Sequence, residues 1–252
     1  MHDELTGLRA ISVRHSYTIA HNDLARDFFV PALTCSTRYD RGVGYFTSGW
    51  LKANAQGIAS LGVAGGCARW ITSPLLARQD LVALLRAASL ENEPKIVETL
   101  LASVETLQDA IESDTLNALS WLVADGILNF RFAIPIDDLD GDFHDKFGIF
   151  EDVYGQRLSF SGSYNDTAKG LRNYESIRVF RSWDPSSANI VAEDEERFMR
   201  LWDGQESNLR IFDPPYAVKH RILQLRRDAR PYDIPQSLEK VSATIQLRGV
   251  FP

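Results

Sequence analysis

The chain has 252 residues, of which 44% are hydrophobic and 24% charged, and this composition is typical of a globular protein with a sizeable core. A formal net charge of −7 argues against a protein that coats nucleic acid non-specifically. Two cysteines without C-x-x-C spacing, no apolar run of the roughly 18 residues that a membrane span needs, and no secretory signal pattern together predict a cytoplasmic protein.

Hydrophobic spacing and turn residues predict alternating helices and strands in the first half of the chain. They indicate a short helix at 22–34, a strand leading into a helix at 39–51, a strand at 67–75 that Pro74 stops, mainly helix at 75–125, and a strand at 127–135. This alternation favours strands that are joined by helical connections.

Strands cluster in the second half of the chain. After an acidic turn, the predicted elements are a strand beginning at His144, a hairpin into "RLSFSGSYND", a strand in "YESIRVFRSW", a helix at 186–203, a short strand in "LRIFDPP" and a helix at 215–228. We therefore predict an α/β fold, a mixed sheet with helices on both faces. One domain is expected over residues 1–230, and the proline-punctuated 231–252 is expected to be an extension or a linker toward a further domain of a longer protein.

Polar side chains mark the ends of three neighbouring predicted strands. They are His144 and Lys146, then Gly162, Ser163 and Asn165, and then Asn173 and Glu175. Because adjacent strands lie about 5 Å apart, these groups could meet at one edge of the sheet. Each group alone has an ordinary interpretation as a turn or a surface charge, and only the combination predicts a site.

The combination suits the chemistry of a phosphodiester. Ammonium, hydroxyl and amide donors can neutralise charge that develops on the phosphoryl oxygens. A neutral imidazole can attack phosphorus and form a covalent intermediate, and a carboxylate can hold that imidazole in the required tautomer.

These residues resemble the motifs of the phospholipase D superfamily. "HDKFGIFE" is similar to the H-x-K-x4-D signature, "GSYN" stands at the place of the G-S-x-N motif, and "NYESIRV" resembles the following segment of the superfamily's nucleases. "RYDRGVGYFTSGWL" is similar to the early strand and helix of phospholipase-D-like domains at the N-terminus of some bacterial helicase and restriction proteins. The resemblance implies a phospholipase-D-like sheet with a single motif per chain.

The resemblance also implies a role for each matching residue. His144 would be the nucleophile, Lys146 would bind phosphate, and Glu175 would orient His144. Ser163 and Asn165 would complete the phosphate pocket, and Gly162 would support the motif. Glu151 stands where the family has aspartate, with Asp152 next to it, so its supporting role is the one departure from the pattern.

The family reaction uses a second histidine, which protonates the leaving oxygen. His2, His15, His21 and His220 all lack a lysine two residues later. The resemblance therefore implies a homodimer that brings two motifs together across its axis. It implies neither a metal nor a cofactor, because cationic side chains supply the electrostatics.

Nucleic acid, DNA in particular, is the substrate that we predict, with a role in restriction or anti-phage defence. Tyr45 is a candidate for base stacking, and Lys219 and Arg221 are candidate phosphate contacts. An aromatic near a strand end is more often part of the core, and a basic helix face is more often simply solvated. Two alternatives stay open: a non-catalytic nucleic-acid-binding and dimerisation module of a helicase-type machine, and a phosphatidyl-transferring enzyme.

Overall fold

A computed structural model gives the fold. It describes residues 7–44, 48–73, 98, 101, 113–139, 141–164 and 174–227. Within this part of the chain, one eight-stranded mixed sheet forms the centre of an α/β structure. No described helix is long and apolar enough to cross a membrane.

The sheet has the strand order β1-β7-β6-β5-β2-β3-β4-β8. Its strands are β1 Ser16–Thr18, β2 Arg38–Val43, β3 Cys67–Thr72, β4 Leu128–Pro135, β5 Lys146–Glu151, β6 Arg157–Gly162, β7 Ser176–Arg181 and β8 Leu209–Phe212. Strands β2, β3 and β4 are parallel neighbours, and every other pairing is antiparallel. The predicted mixed sheet is confirmed.

Helices cover both faces of the sheet. They are α1 Val30–Thr34, which continues a π-helical turn at Ala25–Phe29, α2 Ser48–Val63, α3 Ser113–Ala124, α4 Ala188–Trp202 and α5 Tyr216–Gln224. A short 3-10 turn at Gly7–Arg9 precedes them. Most of the helical segment predicted at 75–125 lies outside the described residues, and α3 is its described end.

An aromatic core lies under α1, α2, α3 and α5. Tyr39 on β2 stacks on Phe150 of β5 with ring centroids 4.5 Å apart, and Phe28 and Phe29 meet Phe160 of β6 edge-on. These rings are almost fully buried. Since each such ring buries about 150–250 Å², this cluster fixes how β2, β5 and β6 pack on the helices.

The opposite face packs against α4. Phe147 and Ile149 of β5 contact a smaller core that contains Phe198 and Leu201 of α4. Because side chains alternate along a strand and β5 is covered on both sides, nearly every residue of β5 is buried. Its position in the middle of the sheet makes β5 a rigid base for whatever lies at its ends.

Two sequence predictions differ from the structure at this level. Strand β1 was not predicted, because three residues give too short a pattern to recognise. The strand predicted to begin at His144 begins at Lys146, since the pairing of β5 with β2 starts with Lys146 opposite Val43. His144 therefore lies in the preceding loop.

Candidate active site

The described members of the predicted polar groups lie at one edge of the sheet. Lys146 opens β5, Gly162 closes β6 and Ser176 opens β7, and the antiparallel register of these three strands places these ends side by side. The parallel strands β2, β3 and β4 end at the same edge. Ligands of α/β sheets bind most often beyond the carboxyl ends of parallel strands.

His144 and Lys146 contact each other directly. The Lys146 Nζ lies 3.0 Å from the His144 Nδ1 and donates a second hydrogen bond of 2.5 Å to the His144 carbonyl oxygen. His144 is exposed, whereas only 6% of Lys146 is accessible to solvent. The imidazole is therefore presented to solvent with a buried ammonium behind it.

Asp145 and Arg197 hold the loop that carries His144. The Lys146 N–H donates to the Asp145 carboxylate at 2.9 Å, and Arg197 of α4 forms an ion pair with the other oxygen of that carboxylate. The Arg197 guanidinium also lies over the Phe147 ring, 4.4 Å from its centroid. Sequence analysis missed Arg197, because the charged run "EDEERF" is typical of a solvated helix face.

The surroundings of Lys146 lower its pKa. Burial, and then the Arg41 guanidinium, lower the pKa of Lys146 from its ordinary value of 10.5, while the nearby Glu175 carboxylate acts in the opposite direction. Glu175 is itself 9% exposed and lies directly before β7. The Lys146 ammonium and the Glu175 carboxylate thus influence one another at this edge of the sheet.

Gly162 and Ser163 lie directly against the start of β7. The Ser163 N–H donates to the Ser176 carbonyl at 3.1 Å, and the Ser176 N–H donates to the Ser163 Oγ at 3.2 Å. A Cβ on Gly162 would lie 2.1 Å from the Ser176 carbonyl oxygen, so only glycine permits this approach. Ser163 is exposed at the mouth of the site.

The edge strand β1 anchors the segment that carries Glu175. The Ile19 N–H donates to the Glu175 carbonyl oxygen at 3.0 Å, directly after the pairing of β1 with β7. The short strand that sequence analysis missed therefore fixes the backbone of a predicted site residue.

Several predicted residues do not contribute to the described site. Asn165, Asn173 and Tyr45 lie outside the described residues, as does the side chain of Arg221. Lys219 is exposed on α5, which packs against α3 over the β4 region, three strands from β5. Nothing in this arrangement brings Lys219 to His144.

Glu151 lies at the other end of β5. It pairs with Arg38 of β2 and Arg157 of β6, and both arginines also pair with Glu195 of α4. The contacts of Glu151 are thus made with structural arginines, one strand length from Lys146.

The described residues contain no group of three or more His, Cys, Asp or Glu side chains that could hold a metal ion. The acidic turn at 137–142, which is described except for residue 140, forms no such group with its described residues.

No family model matches the chain, and no curated protein matches it. Similar solved structures include Nuc from Salmonella typhimurium, described as a phospholipase D family member, with a TM-score of 0.44, 12% identity and coverage of 79% of this chain and 97% of that one. They also include NucT from Helicobacter pylori, with a TM-score of 0.42, 12% identity and coverage of 75% and 94%. A phosphatidylserine synthase from Haemophilus influenzae has a TM-score of 0.46 and 11% identity, and covers 92% of this chain and 47% of that one. Because these TM-scores are below 0.5, the likenesses carry no inference about activity.

Proposed function

We propose that this chain is a phosphodiesterase that cleaves DNA through a covalent phosphohistidine, without a metal. The observation that carries the proposal is the contact between an exposed imidazole and a buried ammonium, His144 and Lys146, at the edge where Ser163 and Glu175 also lie. This group of side chains supplies a nucleophile, a cation and a carboxylate at one place.

In the proposed first step, the Nε2 lone pair of His144 attacks phosphorus and the bond to the leaving oxygen breaks. Attack by Nε2 requires that Nδ1 carry the ring proton. In the free site, Nδ1 instead faces the Lys146 ammonium at 3.0 Å. We therefore expect a bound phosphate to draw Lys146 away from His144. Nε2 then releases its proton to solvent, Nδ1 takes up a proton from solvent, and Glu175 accepts a hydrogen bond from Nδ1–H.

Lys146 then stabilises the negative charge on the non-bridging oxygens, and Ser163 and Asn165 donate to the same group. Because Lys146 is buried, this preorganised cation stabilises such charge more strongly than it would in bulk solvent. In the second step, water attacks the phosphohistidine, His144 is released, and the phosphate product carries the oxygen of that water.

The leaving oxygen needs a proton, and we propose that a second copy of His144 gives it. Two chains related by a two-fold axis would place their exposed imidazoles on opposite sides of one phosphate. The second copy would then act as the general base for the attacking water.

DNA is proposed as the substrate on the resemblance of "NYESIRV" to the nuclease branch of the superfamily. Tyr174 supports this choice, because it is 77% exposed and directly precedes Glu175, where its ring could stack on a base next to the scissile phosphate. A role in restriction or defence, beside a helicase, is proposed from the resemblance of "RYDRGVGYFTSGWL" alone.

The test is cleavage of single- and double-stranded DNA in excess EDTA by the wild type, His144→Ala and His21→Ala. His21 is a matched control, because it is exposed and its side chain makes no hydrogen bond or ion pair with the described site residues. We expect wild-type cleavage to persist in EDTA, His144→Ala to lose about a thousandfold or more, and His21→Ala to keep full activity.

Three other outcomes would reject the proposal. Equal cleavage by wild type and His144→Ala would exclude His144 as the nucleophile. DNA binding without cleavage by either protein would favour the binding module. Turnover of phosphatidylcholine vesicles with DNA left intact would favour the phosphatidyl-transferring enzyme.

The dimer has its own test, in which wild type and His144→Ala are mixed and allowed to exchange subunits. If each active site needs two copies of His144, an equal mixture retains about a quarter of the wild-type activity. Retention of half the activity would show that each chain acts alone.

A further inference from the structure

Arg41 is a fully buried arginine in the middle of β2. Its exposed fraction is 0%, and the neighbouring residues of the strand, Tyr39, Asp40 and Gly42, are buried as well. Burying a guanidinium costs free energy unless hydrogen bonds and charges compensate for it. A buried arginine therefore calls for an explanation from its contacts.

The Arg41 guanidinium connects two segments of the site. One nitrogen, Nη1, donates to the Phe147 carbonyl at 2.9 Å, and the other, Nη2, donates to the Tyr164 carbonyl at 3.0 Å. Phe147 directly follows Lys146, and Tyr164 is the third residue of "GSYN", directly after Ser163. A single planar group thus sets the distance between the two motif segments.

The packing of Arg41 restricts it to this orientation. Its guanidinium lies over the ring of Phe160 on β6, 4.9 Å from the centroid. In the sheet, Arg41 pairs with Gly148, where a Cβ would lie 2.6 Å from the same Phe160 ring. Glycine at position 148 therefore leaves the space that the Phe160 ring and the guanidinium share.

The charge of Arg41 also reaches Lys146. Burial is the first cause that lowers the pKa of Lys146, and the positive charge of Arg41 is the second. Arg41 thus lies close enough to Lys146 for the two positive charges to repel each other.

Arg69 on the neighbouring strand β3 provides a contrast. Its guanidinium holds both oxygens of Asp40 at 2.7 Å and lies over Phe198, on the α4 face of the sheet. That arginine pairs with a buried carboxylate, and among the described residues it contacts none of the site. Arg69 therefore represents a buried arginine that stabilises the fold, whereas Arg41 is bonded to segments of the site.

We propose that Arg41 is a positioning residue, which locks the segment of Lys146 to the segment of Ser163 and keeps a positive charge behind the phosphate pocket. The consequence for catalysis rests on the proposed function. The geometry and the effect on Lys146 can be measured without it.

The test uses Arg41→Lys, Arg41→Gln and the matched control Arg69→Lys. Arg41→Lys keeps the charge but cannot bridge two carbonyls with a planar fork, so we expect kcat to fall about ten- to hundredfold with KM within about threefold. Arg69→Lys is expected to lower Tm and to leave kcat unchanged.

The pH profile distinguishes charge from geometry. Activity requires the Lys146 ammonium, so it is lost as the pH rises through the pKa of Lys146, which lies below 10.5 in the wild type. Removing the positive charge in Arg41→Gln raises that pKa and moves the alkaline limb to higher pH. In Arg41→Lys the limb stays in its wild-type position.

The same shift is read directly by NMR titration of lysine side chains labelled with ¹³C, with the Lys146 signal assigned from its absence in Lys146→Met. A higher pKa in Arg41→Gln supports the proposal even if the wild type cleaves no DNA, and in that case only the proposed function fails. An unmoved Lys146 titration, or Arg41 variants that lose Tm as Arg69→Lys does but retain full kcat, would overturn the proposal.

Discussion

The charged residues at the two ends of β5 lie in different environments. At the end where β5 begins, Lys146 is buried and its pKa is lowered, and the neighbouring His144 is exposed. At the end where β5 stops, Glu151 lies among arginines and the next residue, Asp152, is 2% exposed and fully used in hydrogen bonds. The same six-residue strand thus supports one perturbed end and one satisfied end.

The satisfied end is built for stability. Arg38 and Arg157 each pair with both Glu151 and Glu195, so the ends of β2, β5 and β6 are tied to α4. Ion pairs in a network of this kind compensate one another's burial.

The perturbed end has a different balance. The environment of Lys146 disfavours the positive charge of this side chain, and the resulting free-energy cost is offset by stabilising interactions elsewhere in the fold. Side chains with a perturbed pKa are concentrated at functional sites, because a bound ligand of opposite charge stabilises the charged form that the fold alone disfavours. The comparison predicts that substitutions at the first end change activity and that substitutions at the second change stability.

Lys146→Met should have the largest effect on activity. Loss of the cation that faces the phosphate is expected to lower kcat about a hundred- to thousandfold. The variant should nevertheless be at least as stable as wild type at pH 7, because methionine fills similar space without a buried charge. Activity assays and urea unfolding test both statements, with the exposed Arg200→Met as the control.

The stability difference should also depend on pH. The folded protein releases the Lys146 proton at a lower pH than the unfolded chain does, so between that pKa and 10.5 the unfolded state binds more protons. Wild-type stability therefore rises relative to Lys146→Met across this interval, and the advantage of the variant disappears above it. A variant that is less stable than wild type at pH 7 would contradict this account of Lys146.

Asp152→Asn should affect stability without affecting the site. One Asp152 oxygen accepts the N–H groups of Tyr154 and Gln156, both at 2.9 Å, and the other accepts that of Leu8 at 2.8 Å. Asparagine replaces one oxygen with a donor, which would face an N–H group, at a cost of about 2 kcal/mol. Chemical denaturation measures this loss, and a tenfold drop in kcat of the folded variant would break the separation between the two ends.

The sequence predicts well where the pattern is local. Strands β4, β6 and β7 and helix α4 lie within the predicted segments, because alternating or helical spacing extends over their whole length. The ends of β5 and β6 meet as expected, since a turn of five residues leaves these antiparallel neighbours little freedom in register. The end of β6 also meets the start of β7, although residues 163–175 form a longer connection.

The sequence predicts poorly where tertiary packing decides. Arg41 and Arg197 are charged residues in ordinary strand and helix contexts, and only the folded structure shows that both contact the site segments. His144 was assigned to the strand because its spacing from Lys146 matches the alternation of β5, although the pairing of β5 begins two residues later. Local pattern gives the elements, whereas burial of charge depends on distant segments.

Glu151→Asp should have the smallest effect, and it restores the aspartate of the motif that the sequence resembles. The shorter side chain reaches Arg38 and Arg157 less well, and since all three groups are partly exposed the expected loss is about 1 kcal/mol. Glu195→Gln is the matched control, because Glu195 binds the same two arginines from α4 and lies outside the motif. Both variants should keep kcat within about twofold, since a strand of roughly 3.3 Å per residue separates this network from Lys146. If Glu151→Asp alone changed kcat tenfold in either direction, position 151 would act on the site through β5, and the two ends of the strand would have to be treated as one unit.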